Sequence, residues 1–396
     1  MLNEFFINGC SIIVPYLCRI FNCILSTGVY PTIWATGMLH LLYKGISPSD
    51  LNNFRDITLL SNFGKLFDII MNRRLQDWVD VLDILYNTQA GFRKSYSTFD
   101  NIFVLQNIIF KSRFEKKKLF CAFIDFRKAF NSVFRYGLWY KLIQYNCSGK
   151  FLKVVKDMYD KLKCCVKTNE GMTRFFQSHV GVQQGAIMSP LLFALYLNDL
   201  NDALHDQDGV NIEGNYVKIL LYADDIVLFS NTKIGLQNHL DNLYDYCTRW
   251  KLNVNLSKTK VLVCRGGGPI SKDEFWFWGD QLIDICSKYK YLGIYFSANG
   301  ITQQSLDYLA DQAGLAILSL KYRLKNLGDV PLDLSLKLFH QCIFPILLYG
   351  SQVWGFRNCK VLERKCMRYF KFILRVSITT CNSAVYAELG EIPIQT

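Results

Sequence analysis

Two adjacent aspartates, Asp224 and Asp225, lie between two apolar runs in the segment LLYADDIVLFS. An unpaired carboxylate in apolar surroundings is costly, and it usually neutralises or meets a cation. A pair of aspartates between two strands is most often a hairpin turn, because aspartate favours turns. The segment therefore allows two interpretations: an exposed turn, or a site where a positive group binds both acids.

A third acid, Asp125, follows the apolar run CAFI at the end of a predicted strand. If that strand lies beside the turn, the three carboxylates converge, and their repulsion raises the pKa of one of them. Mg²⁺ relieves such repulsion, since it binds a few carboxylates and completes its shell with phosphate oxygens and water. Two such ions can stabilise the attacking and the leaving oxygen of a phosphoryl transfer.

The elements that must position these acids are strands in the middle of the chain. The segment 118–126 reads as a buried strand, VKILLYADDIVLFS as two strands joined by a tight turn at 223–225, and KTKVLVCR and 288–296 as two more. Helical patterns lie between and after these strands, and they dominate the sequence beyond residue 300. This order predicts an α+β fold with a central catalytic core.

Two features locate helices inside that core. Ser189 at the N-cap and Pro190 at the first helical position predict a helix over 189–204. After the acidic turn, apolar residues recur at helical spacing, which predicts a second helix. These residues are Leu236, Leu240, Leu243, Cys247 and Trp250.

Composition narrows the class of function. The chain has 396 residues, 51% of them hydrophobic, which is enough for more than one domain. A net charge of +12 favours polyanionic partners such as nucleic acid, although a solvated basic surface gives the same total. The 14 cysteines show no CxxC spacing and do not cluster with histidines, which argues against a zinc site or a disulfide framework. Scattered free thiols favour an intracellular setting, in the nucleus or the cytoplasm.

The first 21 residues are apolar but interrupted by charged, polar and proline residues. They lack a positive n-region and a small-residue cleavage site, and they fall short of a membrane span, so we expect an amphipathic helix against a core and no membrane partner. The sequence also lacks GxSxG, HExxH and GxxxxGK[ST], which removes the hydrolase, zincin and P-loop classes.

The chain resembles reverse transcriptases, most closely those of non-LTR (LINE-type) retrotransposons. Each motif alone is weak, whereas six or more in order along almost the whole chain are highly specific. The segments are GVYPTIWATGMLHLLYKG, LNNFRDITLLSNFGKLFDIIMNRRL and QAGFRKSYSTFDNI for the fingers, FIDFRKAFNSV for motif A, GVQQGAIMSPLLF for motif B, YADD for motif C, WKLNVNLSKTKVLV for motif D, YKYLGIYF for motif E, and FPILLYGSQVWGF and AVYAELG for the thumb side.

The resemblance implies an RNA-directed DNA polymerase with a right-hand fold: fingers over 1–112, a ferredoxin-like palm sheet with inserted fingers helices over 113–298, and a helical thumb over 299–396. It also implies two Mg²⁺ ions, with Mn²⁺ as a substitute, an RNA template, a DNA primer or target DNA, and deoxynucleoside triphosphates. Relatives carry an N-terminal endonuclease that is not visible here, so we expect a polymerase region without it.

The resemblance assigns metal binding to Asp125, Asp224, Asp225 and the backbone carbonyl of Phe126. Phe130, five residues after Asp125, occupies the position of a steric gate that excludes a 2′-hydroxyl, although a core phenylalanine fits the same spacing. Further nucleotide-binding candidates are Arg55, Gln184, Gly185 and Tyr222, with Lys44 as a weaker one.

Lys258 matches the motif D lysine, a candidate general acid for pyrophosphate, and Lys260 is the close alternative. Nucleic-acid contacts are expected from Arg93 in the fingers and from Tyr291 and Gly293 in the primer grip. A basic helical face is expected to lie along the duplex backbone. Its residues are Lys360, Arg364, Arg368, Lys371 and Arg375.

Four positions depart from the usual pattern of these elements. Asn131 stands where aspartate is usual, Asp56 replaces a common proline, Tyr96 falls where a basic residue is frequent, and Gln183 replaces a frequent arginine or lysine. None is an expected metal ligand. A catalytically inactive remnant that only binds RNA or an RNA–DNA duplex is therefore the alternative to an active polymerase.

Overall fold

A computed structural model of the chain describes residues 3–45, 50, 53–168, 171–267, 271–328 and 330–394. Its strands are β1 Thr36–Tyr43, β2 Phe54–Leu59, β3 Leu119–Ile124, β4 Lys163–Thr168, β5 Gly171–Met172, β6 Phe176–Gln177, β7 Val210–Ile212, β8 Asn215–Val217, β9 Ile219–Tyr222, β10 Asp225–Ser230, β11 Lys260–Cys264, β12 Phe277–Trp278, β13 Gln281–Leu282, β14 Asp284–Cys286, β15 Lys288–Tyr291, β16 Ile294–Ser297 and β17 Gly300–Ile301.

Helices surround these strands and form almost all of the described chain after residue 302. They are α1 Asn3–Asn8, α2 Cys10–Thr27, α3 Asn62–Val81, α4 Thr98–Phe114, α5 Ala129–Ser132, α6 Arg135–Gln144, α7 Gly149–Asp160, α8 Ser189–Leu197, α9 Leu200–Ala203, α10 Lys233–Trp250, α11 Gln303–Asn326, α12 Leu332–Cys342, α13 Phe344–Leu347, α14 Ser351–Trp354, α15 Lys360–Ile373 and α16 Asn382–Leu389, with short 3₁₀ turns at Thr32–Ala35 and Asp206–Asp208.

The central sheet has the strand order β14-β11-β3-β10-β9. Strands β11, β3, β10 and β9 run antiparallel to their neighbours, and β14 joins β11 in parallel. Helices lie between β3 and β9 and between β10 and β11, so the four antiparallel strands reproduce the βαββαβ ferredoxin-like topology. The predicted palm sheet is therefore present.

Both faces of this sheet are covered. All six residues of β3 are buried, and they alternate between two apolar clusters: Phe120, Ala122 and Ile124 face one cluster, while Leu119, Cys121 and Phe123 face the other. Burial on both faces explains the continuous apolar run around position 121, since a half-exposed strand would alternate with polar residues. The acids can thus appear only where the strands end.

A second sheet lies on the N-terminal side and has the order β2-β1-β4-β5, with β6 on β4. β1 and β2 form an antiparallel hairpin in which Leu42 pairs with Arg55 and Leu41 with Asp56. Because β2 is an edge strand, its outer side is available to contact other parts of the chain. This sheet carries the fingers candidates toward the central sheet.

The start of the helix over 189–204 differs from the prediction. Met188 is the N-cap, Ser189 is the first helical residue, and the chain breaks into α8 and α9. The backbone amides of Ile187 and Met188 donate to Asp68 Oδ2, while the buried Ser189 hydroxyl pairs with Tyr159. A carboxylate from α3 therefore caps the helix in place of the serine.

The N-terminal helix α2 is less buried than expected. Phe21 and Ile24 pack into the core, whereas Ile12 and Tyr16 are exposed. By length and composition alone α2 could cross a membrane, contrary to the expectation from sequence. Core helices of soluble proteins and signal sequences share that property, so it assigns no membrane location.

Candidate active site

The acidic turn connects β9 to β10. Tyr222 pairs with Asp225, which leaves Ala223 and Asp224 as a two-residue turn. Ala223 has φ of 56°, a left-handed conformation that non-glycine residues seldom adopt. Its N–H donates to the Oε1 of Gln89 at 3.1 Å, and Gln89 is fully buried. The conformation of the turn is therefore held from the core.

Gln89 belongs to a short segment that pairs alongside β9. Thr88 O accepts from Leu221 N at 2.8 Å, and Ala90 N donates to Leu221 O at 2.9 Å. A Cβ added to Gly91 would lie 2.3 Å from Ala223 N, so the close approach requires glycine. QAGF resembles part of a fingers motif, and its local pattern does not predict this role of the glutamine.

Asp125 follows β3 directly, beside the turn. The register that pairs Ile226 with Ile124 places Asp225 opposite Asp125 one step further along the ladder. Thr259 Oγ1 accepts from Asp125 N at 3.2 Å, and Asn255 donates from its backbone amide to Asp125 O and from Nδ2 to Asp125 Oδ2, at 2.7 and 3.2 Å. The structure thus brings the three predicted acids to one edge of the sheet.

The charges of these acids are only partly compensated. Desolvation raises the pKa of Asp224, and the nearby charge of Asp125 raises it further. Asp225 is exposed at the tip but lies against buried strands, and desolvation together with Asp224 and Asp125 raises its pKa to about 6. Like charges on facing residues oppose each other's ionisation, which leaves a demand for a cation.

Three cations approach the acids. Lys258 Nζ lies 3.8 Å from Asp125 Oδ2, and its positive charge lowers the pKa of Asp225 in part. The charges of Arg55 and Lys44, on the hairpin side of the N-terminal sheet, act in the same direction on Asp224. Lys260 instead bonds to Asp284 at 2.6 Å. Of the two motif D candidates, Lys258 is therefore the one at the acids.

Phe126 forms an isolated antiparallel bridge with Val254. The two flanking bonds run from Asn255 N to Asp125 O and from Arg127 N to Asn253 O, so Phe126 itself takes part in neither. The metal-binding role of its carbonyl stays a prediction. Tyr222 is half-buried immediately before the turn.

Phe130 lies between two other rings. It stacks on the buried Phe193 at 4.8 Å between ring centroids and meets the exposed Phe92 edge-on at 6.2 Å. Phe130 is itself half-buried, so one part of its ring packs in the core and another part is accessible. Phe92 was not singled out from the sequence, although it belongs to QAGF.

The motif B pair contacts the N-terminal sheet. Gln184 O accepts from Thr58 N at 2.7 Å. Gly185 has φ of 112°, and a Cβ there would lie 2.8 Å from Thr58 O, so the backbone approach requires glycine. The pair therefore contacts strand β2 and lies just before helix α8 in the chain.

Two residues predicted to contact nucleic acid form hydrogen bonds within the protein. Tyr291 is 2% exposed, and its hydroxyl accepts from Asn101 Nδ2 at 3.2 Å. The prediction that the Tyr291 side chain contacts the primer is therefore wrong. Arg93 Nη1 donates to Tyr86 O at 3.0 Å, and its guanidinium lies over the Tyr96 ring. Gly293, with φ of 85°, forms the turn of the β15–β16 hairpin, as the primer-grip prediction requires.

Three of the five residues predicted for the basic face lie exposed on α15. Lys360, Arg364 and Arg368 are exposed, and Arg375 follows the helix end. Lys371 is 8% exposed, and its Nζ donates to Ile378 O at 2.8 Å. The prediction that Lys371 belongs to the exposed basic face is therefore wrong. Lys321 of α11 lies nearby, where burial and the charges of Lys325 and Arg368 lower its pKa.

A ferredoxin-like sheet with three carboxylates at one edge defines the palm of a template-directed nucleic-acid polymerase. The chain belongs to the reverse transcriptase (RNA-dependent DNA polymerase) family, whose model matches residues 45–296.

Among curated proteins, the chain is 27% identical to a probable RNA-directed DNA polymerase from transposon BS of Drosophila melanogaster, over 90% of this chain and 40% of that protein. It is 23% identical to the RNA-directed DNA polymerase from mobile element jockey of the same organism, with the same coverage. The chain thus spans about 40% of the length of these relatives.

Among solved structures, the chain resembles telomerase from Candida albicans, in complex with a fragment of telomeric RNA, with a TM-score of 0.52 and 12% identity over 90% of this chain and 66% of the other. Apo telomerase from Candida tropicalis gives a TM-score of 0.50 and 12% identity over 96% and 74%. At this identity the likeness supports the fold.

Proposed function

We propose that this chain is the polymerase core of a non-LTR retrotransposon protein, which extends a primer 3′-hydroxyl with deoxynucleoside triphosphates on an RNA template. The observation that carries the proposal is the meeting of Asp125, Asp224 and Asp225 at one sheet edge, with raised pKa values for the two acids of the turn. The family match and the curated relatives support the choice of reaction.

The donor chemistry of the site fits Mg²⁺. Hard carboxylate oxygens suit this ion, and the raised pKa of Asp225 marks negative charge that the protein leaves uncompensated. Within the described residues, no three His, Cys, Asp or Glu side chains already stand in a metal-holding arrangement. Mg²⁺ usually takes one or two carboxylates and completes its shell with water and substrate phosphates, so a preformed cage is not required.

The protein's own residues would divide the remaining work. Bound divalent ions would activate the primer hydroxyl and neutralise charge on the phosphates, held by Asp125, Asp224 and Asp225 with the Phe126 carbonyl. The Lys258 ammonium, exposed at the same edge, can give a proton from Nζ to the leaving pyrophosphate.

The cations across the site would bind the triphosphate, with the Arg55 guanidinium suited to bidentate contacts. Phe130, braced by Phe193, would occupy the space under the sugar. A Phe130→Val variant is then expected to incorporate ribonucleotides more readily in primer extension. Unchanged sugar discrimination would remove the gate from the proposal.

Primer extension tests the central activity. A DNA primer annealed to RNA is extended with Mg²⁺ by the wild type, by Asp224→Asn and by a control, Asp311→Asn, whose carboxylate is exposed beside Lys365 at 3.5 Å. We expect product from the wild type and the control, and a loss of about a thousandfold in Asp224→Asn.

A well-folded wild type that binds RNA but yields no template-directed product would contradict the proposal. That result would instead support a remnant that only binds RNA or an RNA–DNA duplex. Equal extension by wild type and Asp224→Asn would contradict the assignment of the acids.

A further inference from the structure

Asp56 and Asn131, two positions that the resemblance to reverse transcriptases marks as unusual, contact each other. Asn131 Nδ2 donates to both carboxylate oxygens of Asp56, at 3.0 and 3.1 Å. The residues are 75 positions apart in the chain, and both are half-buried. The sequence pattern had presented them as independent changes.

The chemistry of the two side chains is complementary. The aspartate usual at position 131 would place a second carboxylate against Asp56, and two carboxylates at hydrogen-bond distance cannot both ionise without moving apart. The asparagine amide instead donates a hydrogen bond to a charged acceptor, which is about twice as strong as a neutral one. A proline at position 56, tolerated on the edge strand β2, could not accept this bond.

The pair lies between two candidate substrate-binding residues. Asp56 directly follows Arg55 on β2, and successive side chains of a strand point to opposite faces, so anchoring Asp56 orients Arg55 away from the contact. Asn131 directly follows Phe130 in the single turn of α5. The bond therefore joins the strand that carries the arginine to the helix that carries the aromatic ring.

Backbone bonds surround the same junction. Val182 N donates to Phe130 O and Thr58 N to Gln184 O, both at 2.7 Å. The segment between Val182 and Gln184 is thus held by α5 on one side and by β2 on the other. These bonds fix the segment whatever its side chains, whereas the bond between Asp56 and Asn131 depends on the residue types at both ends.

We propose that Asp56 and Asn131 form a coupled pair that positions Arg55 and Phe130 relative to each other, and thereby sets how tightly the deoxynucleoside triphosphate is held and how strictly its sugar is selected. This inference rests on the proposed polymerase function. Both are positioning residues, since they act through their neighbours.

An exchange of the two residues tests the pair. Asn131→Asp, Asp56→Asn and the double variant D56N/N131D are compared with the wild type in primer extension on RNA. The double variant reverses donor and acceptor and keeps the bond, so it is the matched control for Asn131→Asp. Coupling between residues in contact commonly changes the measured quantity by about twofold to about 150-fold, and we expect an effect near the middle of that range, about tenfold.

Asn131→Asp is expected to raise the KM for deoxynucleoside triphosphates about tenfold with kcat nearly unchanged, and to raise ribonucleotide incorporation severalfold. Asp56→Asn keeps a neutral amide contact and should change KM by about two- to threefold. The double variant should return to within about twofold of the wild type. Two results would contradict the coupling. One is a KM and a ribonucleotide incorporation in Asn131→Asp equal to those of the wild type, and the other is a double variant as impaired in both as Asn131→Asp.

Urea unfolding of the same four proteins separates this inference from the proposed function. If the midpoint falls in Asn131→Asp and recovers in the double variant while KM stays constant, the bond is structural only and the positioning role is overturned. If the wild type forms no template-directed product, the proposed function fails and the nucleotide part of this inference fails with it. The midpoints then still decide whether the two residues are coupled.

Discussion

The buried Lys141 and the acidic turn differ in how completely the protein itself compensates their charge. Lys141 is 2% exposed, and its ammonium donates to Tyr196 O, Asp199 Oδ1 and Tyr246 OH at 2.5–2.6 Å. All three of its protons thus have acceptors, and the Trp250 ring lies 4.0 Å from the same nitrogen. Burial lowers the pKa of Lys141 to about 8, and Asp199 offsets part of that effect.

The acidic turn lacks such compensation. The pKa values of Asp224 and Asp225 are raised by desolvation and by other acids, and the cations near them offset only part of the effect. A buried charge with a complete set of partners holds the fold together, whereas a partly solvated cluster of like charges marks a place where a ligand binds. The difference separates a structural ion pair from a candidate catalytic site within one fold.

The largest expected effect concerns the satisfied charge. Lys141→Met removes the donor to three acceptors and takes the cation away from the Asp199 carboxylate, which keeps the hydrogen bond from the Tyr246 hydroxyl. We therefore expect a loss of about 3 kcal/mol in the free energy of unfolding. The activity of the molecules that remain folded should be unchanged. Urea unfolding and active-site-normalised primer extension measure the two quantities. A variant with unchanged stability and lost activity would show that Lys141 takes part in catalysis and would contradict its structural role.

The next effect concerns the support of the acidic turn. Gln89→Leu leaves the amides of Ala223 and Gly91 without their buried acceptor, which costs about 2 kcal/mol and should lower kcat at least tenfold. Gln106→Leu is the control. Gln106 is also buried, and its Oε1 accepts from Ile301 N at 2.8 Å, in strand β17 outside the central sheet. Equal losses of kcat in both variants would show a general effect on folding.

The smallest expected effect is a pH-dependent change in stability when Asp225 is replaced. The pKa of Asp225 is about 6 in the folded chain and 3.8 as its ordinary value, so the native state is destabilised as pH rises from about 4 to above 6. Asp225→Asn should therefore stabilise the metal-free protein at pH 8, by about 1 kcal/mol after allowance for solvent screening. The gain should vanish near pH 4. A loss of stability at pH 8 would show that the carboxylate is already satisfied.

Much of the central sheet and the meeting of the acids could be predicted from the sequence. Apolar runs locate β3, β9 and β10, and the acids follow where those runs end. Local patterns do not reveal contacts between distant segments, so they predict neither the role of Gln89 at Ala223 nor the pairing of Asp56 with Asn131. Local patterns also do not show which residues of the last helical turn are covered by the following segment. Spacing alone therefore assigns Lys371 to the exposed face, whereas it is buried beside Ile378.

The primer-grip tyrosine shows the same limit. Alternation along β15 cannot tell which of its two faces is covered, because α4 and α11 arrive from distant parts of the chain. Tyr291 points into the core and meets Asn101 of α4. The hairpin itself was predictable, since glycine at position 293 supplies the positive φ that a tight turn needs.

We propose that the negative charge of the acidic turn is left uncompensated because divalent cations bind there. Binding of Mn²⁺, alone and with a deoxynucleoside triphosphate, can be measured by electron paramagnetic resonance at neutral pH for the wild type, Asp125→Asn and the control Asp311→Asn. We predict binding to the wild type and the control, and a loss of at least tenfold in affinity for Asp125→Asn. Equal binding by all three proteins, or none by a folded wild type even with nucleotide, would contradict the claim.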